Sequence, residues 1–362
     1  MSHLLNPVAS KMDRFPKVSI IVPVLNRQEI IGKCIESLLK LDYPSFEVVV
    51  VDNGSTDNTR EVVLNYPVKL VVKEGGGPYV ARNEGIREAN GEIVAFTDSD
   101  CIVSQNWLRN LIKNYTDNKI GGVCGEIFSY SPHSIAEKFA DLIGVQRVEK
   151  LNLTNQRGPL KRDPNRFLSA DSVAANASYR KTVLKEVNGF DEEIISGGDV
   201  EIGWRVLDAG YDLIFDPEAV VWHKHRDSLW KLFKQFFRWG KDQPQLLQKQ
   251  SGGLSYIEIK TYILPAYELG FKSPIRMLIG LDFLNLFILS LILAVLSRFF
   301  LFLSVILFLC VLAGTLHRTV EIVKSSGELK WLVLFSLLHF IRHYAFTIGR
   351  IRGGIKYRVL AI

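Results

Sequence analysis

Apolar residues come in short runs along most of the chain and in much longer ones over its last ninety or so positions. Residues 17–25 (KVSIIVPVL) have the length and β-branched content of a buried strand, ended by Asn26-Arg27. Over 28–40 the apolar positions Ile30, Ile31, Cys34, Ile35, Leu38 and Leu39 follow helical spacing, and Asp42-Tyr43-Pro44 stops the helix. Residues 46–51 (FEVVVV) read as a central strand running into Asp52–Asp57, where Ser55 or Thr56 can cap a helix near 57–65. A strand at 68–72, a turn at Gly75–Pro78, a helix at 79–89 and a strand at 93–96 follow. Strand and helix alternating at this rhythm predict a parallel, doubly wound α/β sheet with right-handed crossovers. Beyond it the pattern predicts a helix at 107–115, a strand at 120–130 and a helix at 134–149. A polar loop at 151–166 precedes a return to the core at 167–179. A helix at 199–209 and late strands at 211–215 and 220–221 complete this part.

From residue 228 the character changes. Residues 229–239 (LWKLFKQFFRW) interleave aromatic and basic side chains at helical spacing, which suits a helix lying in a membrane interface, and 256–269 are expected to continue along that surface. Segments 278–296 and 299–316 are each about 19 residues of apolar chain, enough to cross a hydrocarbon core of about 30 Å. A third apolar segment, 331–349, carries His339, Arg342 and His343, which are costly in lipid. The tail adds Arg350, Arg352, Lys356 and Arg358, which prefer the cytosolic side. Two crossings plus a re-entrant or interfacial third segment keep that tail beside the α/β domain; three crossings put it outside. The expected division is a tail at 1–16, an α/β domain at 17–227, amphipathic interfacial helices at 228–275 and a membrane anchor at 276–362.

Composition narrows the partners. The chain has 362 residues, of which 48% are hydrophobic and 23% charged, and a net charge of +6. No run of Lys and Arg is long enough to favour nucleic acid, so the basic excess points to anionic lipid or a phosphorylated substrate. Cys34, Cys101, Cys124 and Cys310 form no metal-binding or disulfide spacing, which fits a reduced, cytosolic setting. The first residues lack the apolar core of a signal peptide.

Candidate chemistry begins where the 93–96 strand ends, at Thr97-Asp98-Ser99-Asp100. In open α/β sheets ligands bind at that edge, and two carboxylates one residue apart can face a divalent cation that bridges phosphate oxygens. A D-x-D is expected about once by chance in a chain this long, so its company decides. Read together, PVLNR at 23–27, VVDNGSTDNT at 50–59, ARNEGI at 81–86, FTDSD at 96–100 and GGDVEIGWR at 197–205 resemble the family-2 inverting glycosyltransferases of the GT-A fold. The resemblance covers about residues 17–225, in the family's order.

That resemblance implies a GT-A nucleotide-sugar-binding domain with a doubly wound mixed or parallel sheet, followed by interfacial and transmembrane helices. It assigns Pro23 and Asn26 through Glu29 to the nucleotide pocket, Asp52 to the base and ribose, and Arg82 and Asn83 to the donor's ribose or diphosphate. Asp98 matches the contact to ribose and donor sugar. Asp100 matches the ligand of a divalent metal, Mn2+ or Mg2+, with His223 or His225 as a further ligand. Asp199 matches the base that deprotonates the acceptor hydroxyl. Glu201 is its rival, and a helix-capping role for Asp199 stays open. The family's base follows a Glu; here Gly198 stands in its place. Arg205, in the same motif as Glu201, belongs with it on the acceptor side. Gln235, Arg238 and Trp239 match a Q-x-x-R-W motif that holds the acceptor in polysaccharide synthases; an interfacial helix shaped by lipid alone is the other reading. The implied reaction moves a sugar from a nucleotide donor, most often UDP-linked, to a hydroxyl of a lipid-linked or nascent glycan at the cytoplasmic face of the cell membrane. A polyprenyl-phosphate glycosyltransferase, a sugar nucleotidyltransferase (whose glycine-rich opening is absent) and a non-enzymatic membrane glycan-binding scaffold remain alternatives.

Overall fold

A computed structural model describes residues 15–144, 157–160, 173–250, 254–260, 267–272, 277–295, 297–326 and 331–361. The first half alternates as its pattern predicts: β1 (Val18–Val24), α1 (Ile31–Leu39), β2 (Phe46–Asp52), α2 (Thr59–Leu64), β3 (Lys69–Val72), α3 (Pro78–Glu88) and β4 (Ile93–Thr97). These strands pair in parallel in the order β3-β2-β1-β4, with Val22 opposite Val50 and Ile20 opposite Ala95. Val18, Ile20, Ile21, Val22 and Val49–Val51 are fully buried, because helices cover both faces and each strand position meets a core.

The chain continues through β5 (Cys101–Val103), α4 (Trp107–Ile112), β6 (Ile120–Ser129), α5 (Ile135–Leu142), β7 (Gly158–Leu160), β8 (Asn176–Arg180), α6 (Lys181–Glu186), α7 (Gly198–Asp208) and β9 (Asp212–His223). β8 runs antiparallel to β4 and β6, β9 runs parallel to β6, and β5 and β7 lie antiparallel to β9. The sheet is therefore mixed rather than all parallel. The two expected late strands are one strand: Gly125 pairs with Asp216 and Glu126 with Val220, so residues 217–219 bulge out of a continuous ladder. β5 is too short to leave a periodic signal. Part of the expected 134–149 helix, most of the 151–166 loop and the start of the 167–179 segment fall outside the described residues.

The C-terminal expectations need more correction. α8 (Leu229–Lys249) is the predicted aromatic and basic helix, capped by Ser228, whose hydroxyl accepts from the Lys231 N–H at 3.3 Å. Among the described residues between 251 and 275 the chain is strand rather than interfacial helix. β10 (Leu254–Lys260), β11 (Tyr267–Lys272), β12 (Met277–Asp282) and the terminal β13 (Leu360–Ala361) form a second sheet in the order β11-β10-β12-β13. β12 takes the start of the first apolar segment, so only α9 (Phe283–Leu293) is helical, with 11 residues. At 1.5 Å per residue that is about 16 Å, half of a hydrocarbon core. α10 (Arg298–Ser326) and α11 (Leu332–Tyr357) complete the chain. Among the described residues only α11 is long and apolar enough to cross a membrane, and it is the segment expected to be re-entrant.

α11 lies against α8 along a seam of glycines. A Cβ added to Gly240 would stand 2.1 Å from the Phe346 carbonyl oxygen, one on Gly349 2.2 Å from that of Phe237, and one on Gly353 2.0 Å from that of Lys241. The two backbones touch because no side chain intervenes. Arg350 Nε donates to Gln243 Oε1 at 2.7 Å inside the seam, and Leu232, Phe236, Phe335 and Leu338 bury an apolar cluster against Phe139 of α5.

Candidate active site

At the carboxyl edge of β1 and β4 the strand order changes direction, and a cavity of about 960 Å³ opens there, roofed by α8 and α11. β1 feeds it through a loop that starts at Asn26, whose φ of +52° is a left-handed conformation that Asn tolerates. Asn26 ties this loop to the one after β2. Its Oδ1 accepts from the Thr56 N–H at 2.8 Å, and its own N–H donates to Ser55 Oγ at 2.9 Å. Arg27 is thereby aimed across the cavity, its Nε 3.6 Å from Asp100 Oδ2.

Asp100 is buried and ringed by cationic or imidazole groups: besides Arg27, His223 Nε2 lies 3.4 Å and Arg226 Nη1 3.8 Å away. Burial disfavours the charged carboxylate, but His223, Arg27 and Arg226 together outweigh it and hold the carboxyl below its ordinary range. Asp100, Cys101 and His223 bring ligand atoms within 4.8 Å of one another. Burial, with Asp98 and Asp100 nearby, pushes the Cys101 thiol well above the usual thiol range. His223 Nδ1 is buried without a hydrogen-bond partner. A carboxylate beside an imidazole with an orphaned ring nitrogen fits a divalent cation of the Mn2+ or Mg2+ kind. His225 does not reach this point. Its Nε2 is engaged with Ser129 Oγ at 2.7 Å, burial and the neighbouring His223 lower it to about 4, and it lines a smaller adjoining cavity of about 310 Å³ that shares Arg27, Asp100 and Arg226 with the first.

Asp98, on the same loop, receives Arg82 Nη2 at 2.6 Å, and that guanidinium lies over the rings of Tyr79 and Phe190 at 5.4 and 5.8 Å. Asp199 stands on the first turn of α7, behind Gly197 at φ +85°. It accepts from the Ala174 N–H at 3.3 Å. Burial raises its carboxyl above the ordinary range, against the pull of Arg82 and with a push from Asp98. Tyr79 explains the glycine that precedes it. The Tyr79 hydroxyl accepts from the Gly198 N–H at 2.8 Å and sits 3.5 Å from Asp199 Oδ1. A Cβ on Gly198 would lie 2.8 Å from the Tyr79 ring. Where the resemblance expects a glutamate, an aromatic ring fills the space.

The cavity gathers Pro23, Asn26, Arg82, Asp98, Asp100, Asp199 and His223, and from α8 it takes Gln235, Arg238 and Trp239. Five expected residues are elsewhere. Asp52 is fully buried, receiving Arg60 Nε at 2.5 Å and the Ser55 N–H. Glu29 lines only the smaller cavity. Asn83 anchors the loop before α7, donating to Phe190 O at 2.8 Å and Glu192 Oε1 at 2.9 Å. Glu201 holds Arg205 in two contacts of 2.6 and 2.7 Å, and Arg205 also donates to Gly189 O at 2.7 Å, so this pair clamps α7 to the preceding loop. In the other direction, Tyr79, Arg226, Lys231, Lys234, Arg342 and Phe346 line the cavity without having been singled out for it. For Arg342 the signal was present: a charge inside an apolar segment needs a reason.

Comparison with known proteins gives this geometry a context. The profile of Glycosyl transferase family 2 matches residues 19–187. Glycosyltransferase AglE of Haloferax volcanii is 34% identical over 241 residues, 64% of this chain and 74% of that protein. The poly-beta-1,6-N-acetyl-D-glucosamine synthase of Staphylococcus epidermidis is 26% identical over 273 residues, 74% of this chain; the chain spans 63% of the synthase's length. Among solved structures, the mannosyltransferase PcManGT of Pyrobaculum calidifontis, in complex with GDP-Man and Mn2+, matches with a TM-score of 0.51 at 24% identity, over 67% of this chain and 66% of that one. At that identity the match speaks for the fold.

Proposed function

The chain belongs to glycosyltransferase family 2, and from that premise we propose that it is a membrane-associated, metal-dependent inverting enzyme. It moves a sugar from a nucleotide donor, taken as UDP-linked, to a hydroxyl of a lipid-linked or nascent glycan. The observation that carries the proposal is the convergence of Asp98, Asp100, Asp199 and His223 on one cavity at the switch point of the sheet. Asp199 takes the acceptor hydroxyl's proton as that oxygen attacks the anomeric carbon from the face opposite the leaving diphosphate. A carboxyl raised by its surroundings is the better base for this step. Arg82 and Asp98 orient the donor's ribose and sugar. Arg27 and Arg226, which face Asp100 from 3.6 and 3.8 Å, supply positive charge to the diphosphate. Asp100 and His223 would hold the divalent cation, which when bound neutralises charge on the departing nucleoside diphosphate.

Membrane association is supported by α11 and by α9, α10 and their connection, where Leu289, Ile292, Val295, Phe299 and Phe302 are exposed side by side in sequence, an apolar exposure that suits lipid. The Lys and Arg residues at 350–358 support a cytoplasmic position for the active site. A base at Asp199 favours a hydroxyl over a polyprenyl phosphate, which is already ionised. Full chain with Mn2+ and a panel of nucleotide sugars should release nucleoside diphosphate from one of them, and acceptor transfer should vanish in Asp199→Asn. Transfer at the wild-type rate in that variant would overturn the base assignment.

A further inference from the structure

We infer that Gln243 of α8 and Phe346 of α11, both positioned by the buried Arg350, form a subsite for a neutral sugar unit of the acceptor; the inference rests on the glycosyltransferase reading above. Gln243 is buried within the protein yet lines the cavity. One end of its amide is in use: Oε1 accepts from Arg350 Nε at 2.7 Å. That contact also decides which end of the amide is which, because a guanidinium can only donate. The other end, Nε2, has no partner among the described residues, so its two N–H donors are left for the cavity. Gln245, two residues further along α8, shows what a structural glutamine does here. It donates to Glu193 O at 2.8 Å and accepts from the Tyr357 hydroxyl at 3.1 Å. Both ends of that amide close on protein, and Gln245 does not line the cavity.

Arg350 places the ring as well. Its guanidinium lies 5.1 Å from the centre of the Phe346 ring, one turn back on α11, so one buried cation grips an amide on α8 and a ring on α11. The glycine seam makes that grip possible, and the Phe346 carbonyl is itself the atom that meets Gly240. Phe346 is half-buried and lines the cavity. A pyranose has two kinds of surface, a face of C–H groups and a rim of oxygens. A part-exposed aromatic ring suits the first, and N–H donors with nothing to bond suit the second.

The subsite lies on the base's side of the cavity. Trp239, Gln243 and Leu246 recur at i, i+4 and i+7, a single stripe of α8, and all three line the cavity. The stripe ends against α7. A Cβ on Gly197 would stand 2.4 Å from Leu246 Cδ1, so Leu246 occupies the space beside Gly197, two residues before Asp199. Gln243 is three residues from Leu246, about 4.5 Å along the helix. Asp100 and His223, by contrast, belong to the sheet edge that serves the donor. A sugar resting on Phe346 and bonded through an oxygen lone pair to Gln243 Nε2 is therefore on the acceptor side.

The test uses the full chain in phosphatidylcholine nanodiscs with Mn2+. The probes are the methyl glycosides of glucose, galactose, mannose and N-acetylglucosamine, each titrated into the tens of millimolar and read by saturation-transfer NMR against empty nanodiscs. Wild type should bind at least one of them. Gln243→Glu keeps an oxygen for Arg350 and replaces the two donors by a second oxygen. It should weaken that binding by about three- to tenfold at a thermal midpoint close to wild type. Phe346→Leu should weaken it by a similar factor, and Phe346→Trp should keep most of the affinity. Binding of none of the four probes overturns the inference, and so does unchanged binding in either Gln243→Glu or Phe346→Leu. UDP is titrated alongside: a fall in its affinity as large as the fall for the sugar would make the pair a support of the whole cavity, and that also overturns the inference. Metal-dependent release of nucleoside diphosphate by wild type tests the premise separately, because probe binding needs no turnover.

Discussion

Replacing Gly198 by alanine puts a methyl group where the Tyr79 ring now lies. The added Cβ would stand 2.8 Å from two ring atoms and 3.0 Å from a third, while ordinary contact begins at 3.4 Å, so the ring must retreat by about 0.6 Å (3.4 − 2.8). It has little room, being stacked on Phe190 with centroids 5.5 Å apart and lying beside the Arg82 guanidinium. Overpacking of this kind costs about 1–3 kcal/mol, or a fall in Tm of about 2–6 °C. The retreat also drags the hydroxyl that accepts from the Gly198 N–H beside Asp199, and misplacement on this scale lowers kcat by about 10- to 100-fold. A double-mutant cycle isolates the cause. In a Tyr79→Ala background the clash has no partner, so Gly198→Ala should cost less than about 0.5 kcal/mol. Thermal denaturation and nucleoside diphosphate release on the four proteins measure both quantities. An equal cost in both backgrounds would refute the idea that the ring is why the chain carries glycine here.

Asp199 works as a base only when ionised, and its carboxyl is raised by burial. Activity is therefore full above that raised value and lost as the pH falls through it. The acid limb of kcat/KM should sit above the usual carboxylate range, and a limb at the usual value would contradict the assignment. Asp100→Asn should weaken Mn2+ binding, followed by electron paramagnetic resonance, by about tenfold or more while the fold persists; unchanged binding would remove Asp100 from the cation site. Glu201→Gln leaves Arg205 without its charge partner and should cost about 3 kcal/mol of stability with kcat nearly unchanged; a collapse of kcat at wild-type stability would restore Glu201 as a base candidate. Gly349→Leu must push α11 away from α8 where their backbones meet, so acceptor-dependent transfer should fall far more than donor hydrolysis, and equal effects on both would argue against a roof that shapes the acceptor side.

The edge of the sheet was legible because its signals are local. A run such as FEVVVV is a buried strand wherever it occurs, and a carboxylate just past the end of such a strand stands at the ligand edge by connectivity alone. Asp199, on the first turn of a helix, is placed only by its match to the family's motif, whereas Asp98 and Asp100 follow from that logic. Asn83, Glu201 and Arg205 do not, because motif position says which loop a residue is on and not which way its side chain turns. Asn83 turns back to Phe190 O and Glu192, and Glu201 finds Arg205 one helical turn on. Both satisfy a partner of their own, which a spacing pattern cannot distinguish from an active-site contact.

The C-terminal third fails for a different physical reason. β12 reads MLIGLD and is followed directly by the helical FLNLFILSLIL, so one apolar run contains two structures, and hydropathy has no period to separate them. What makes β12 a strand is pairing with β10 and with β13, whose partner Leu360 lies 83 positions (360 − 277) from Met277. That pairing takes residues 278–282 out of a supposed membrane crossing, and it also fixes the end of α11 against the sheet. The charges that made α11 a poor candidate for a simple crossing then acquire a use. Arg342 is costly in lipid, but a helix held along α8 by Gly240, Gly349 and Gly353 delivers it into the cavity instead.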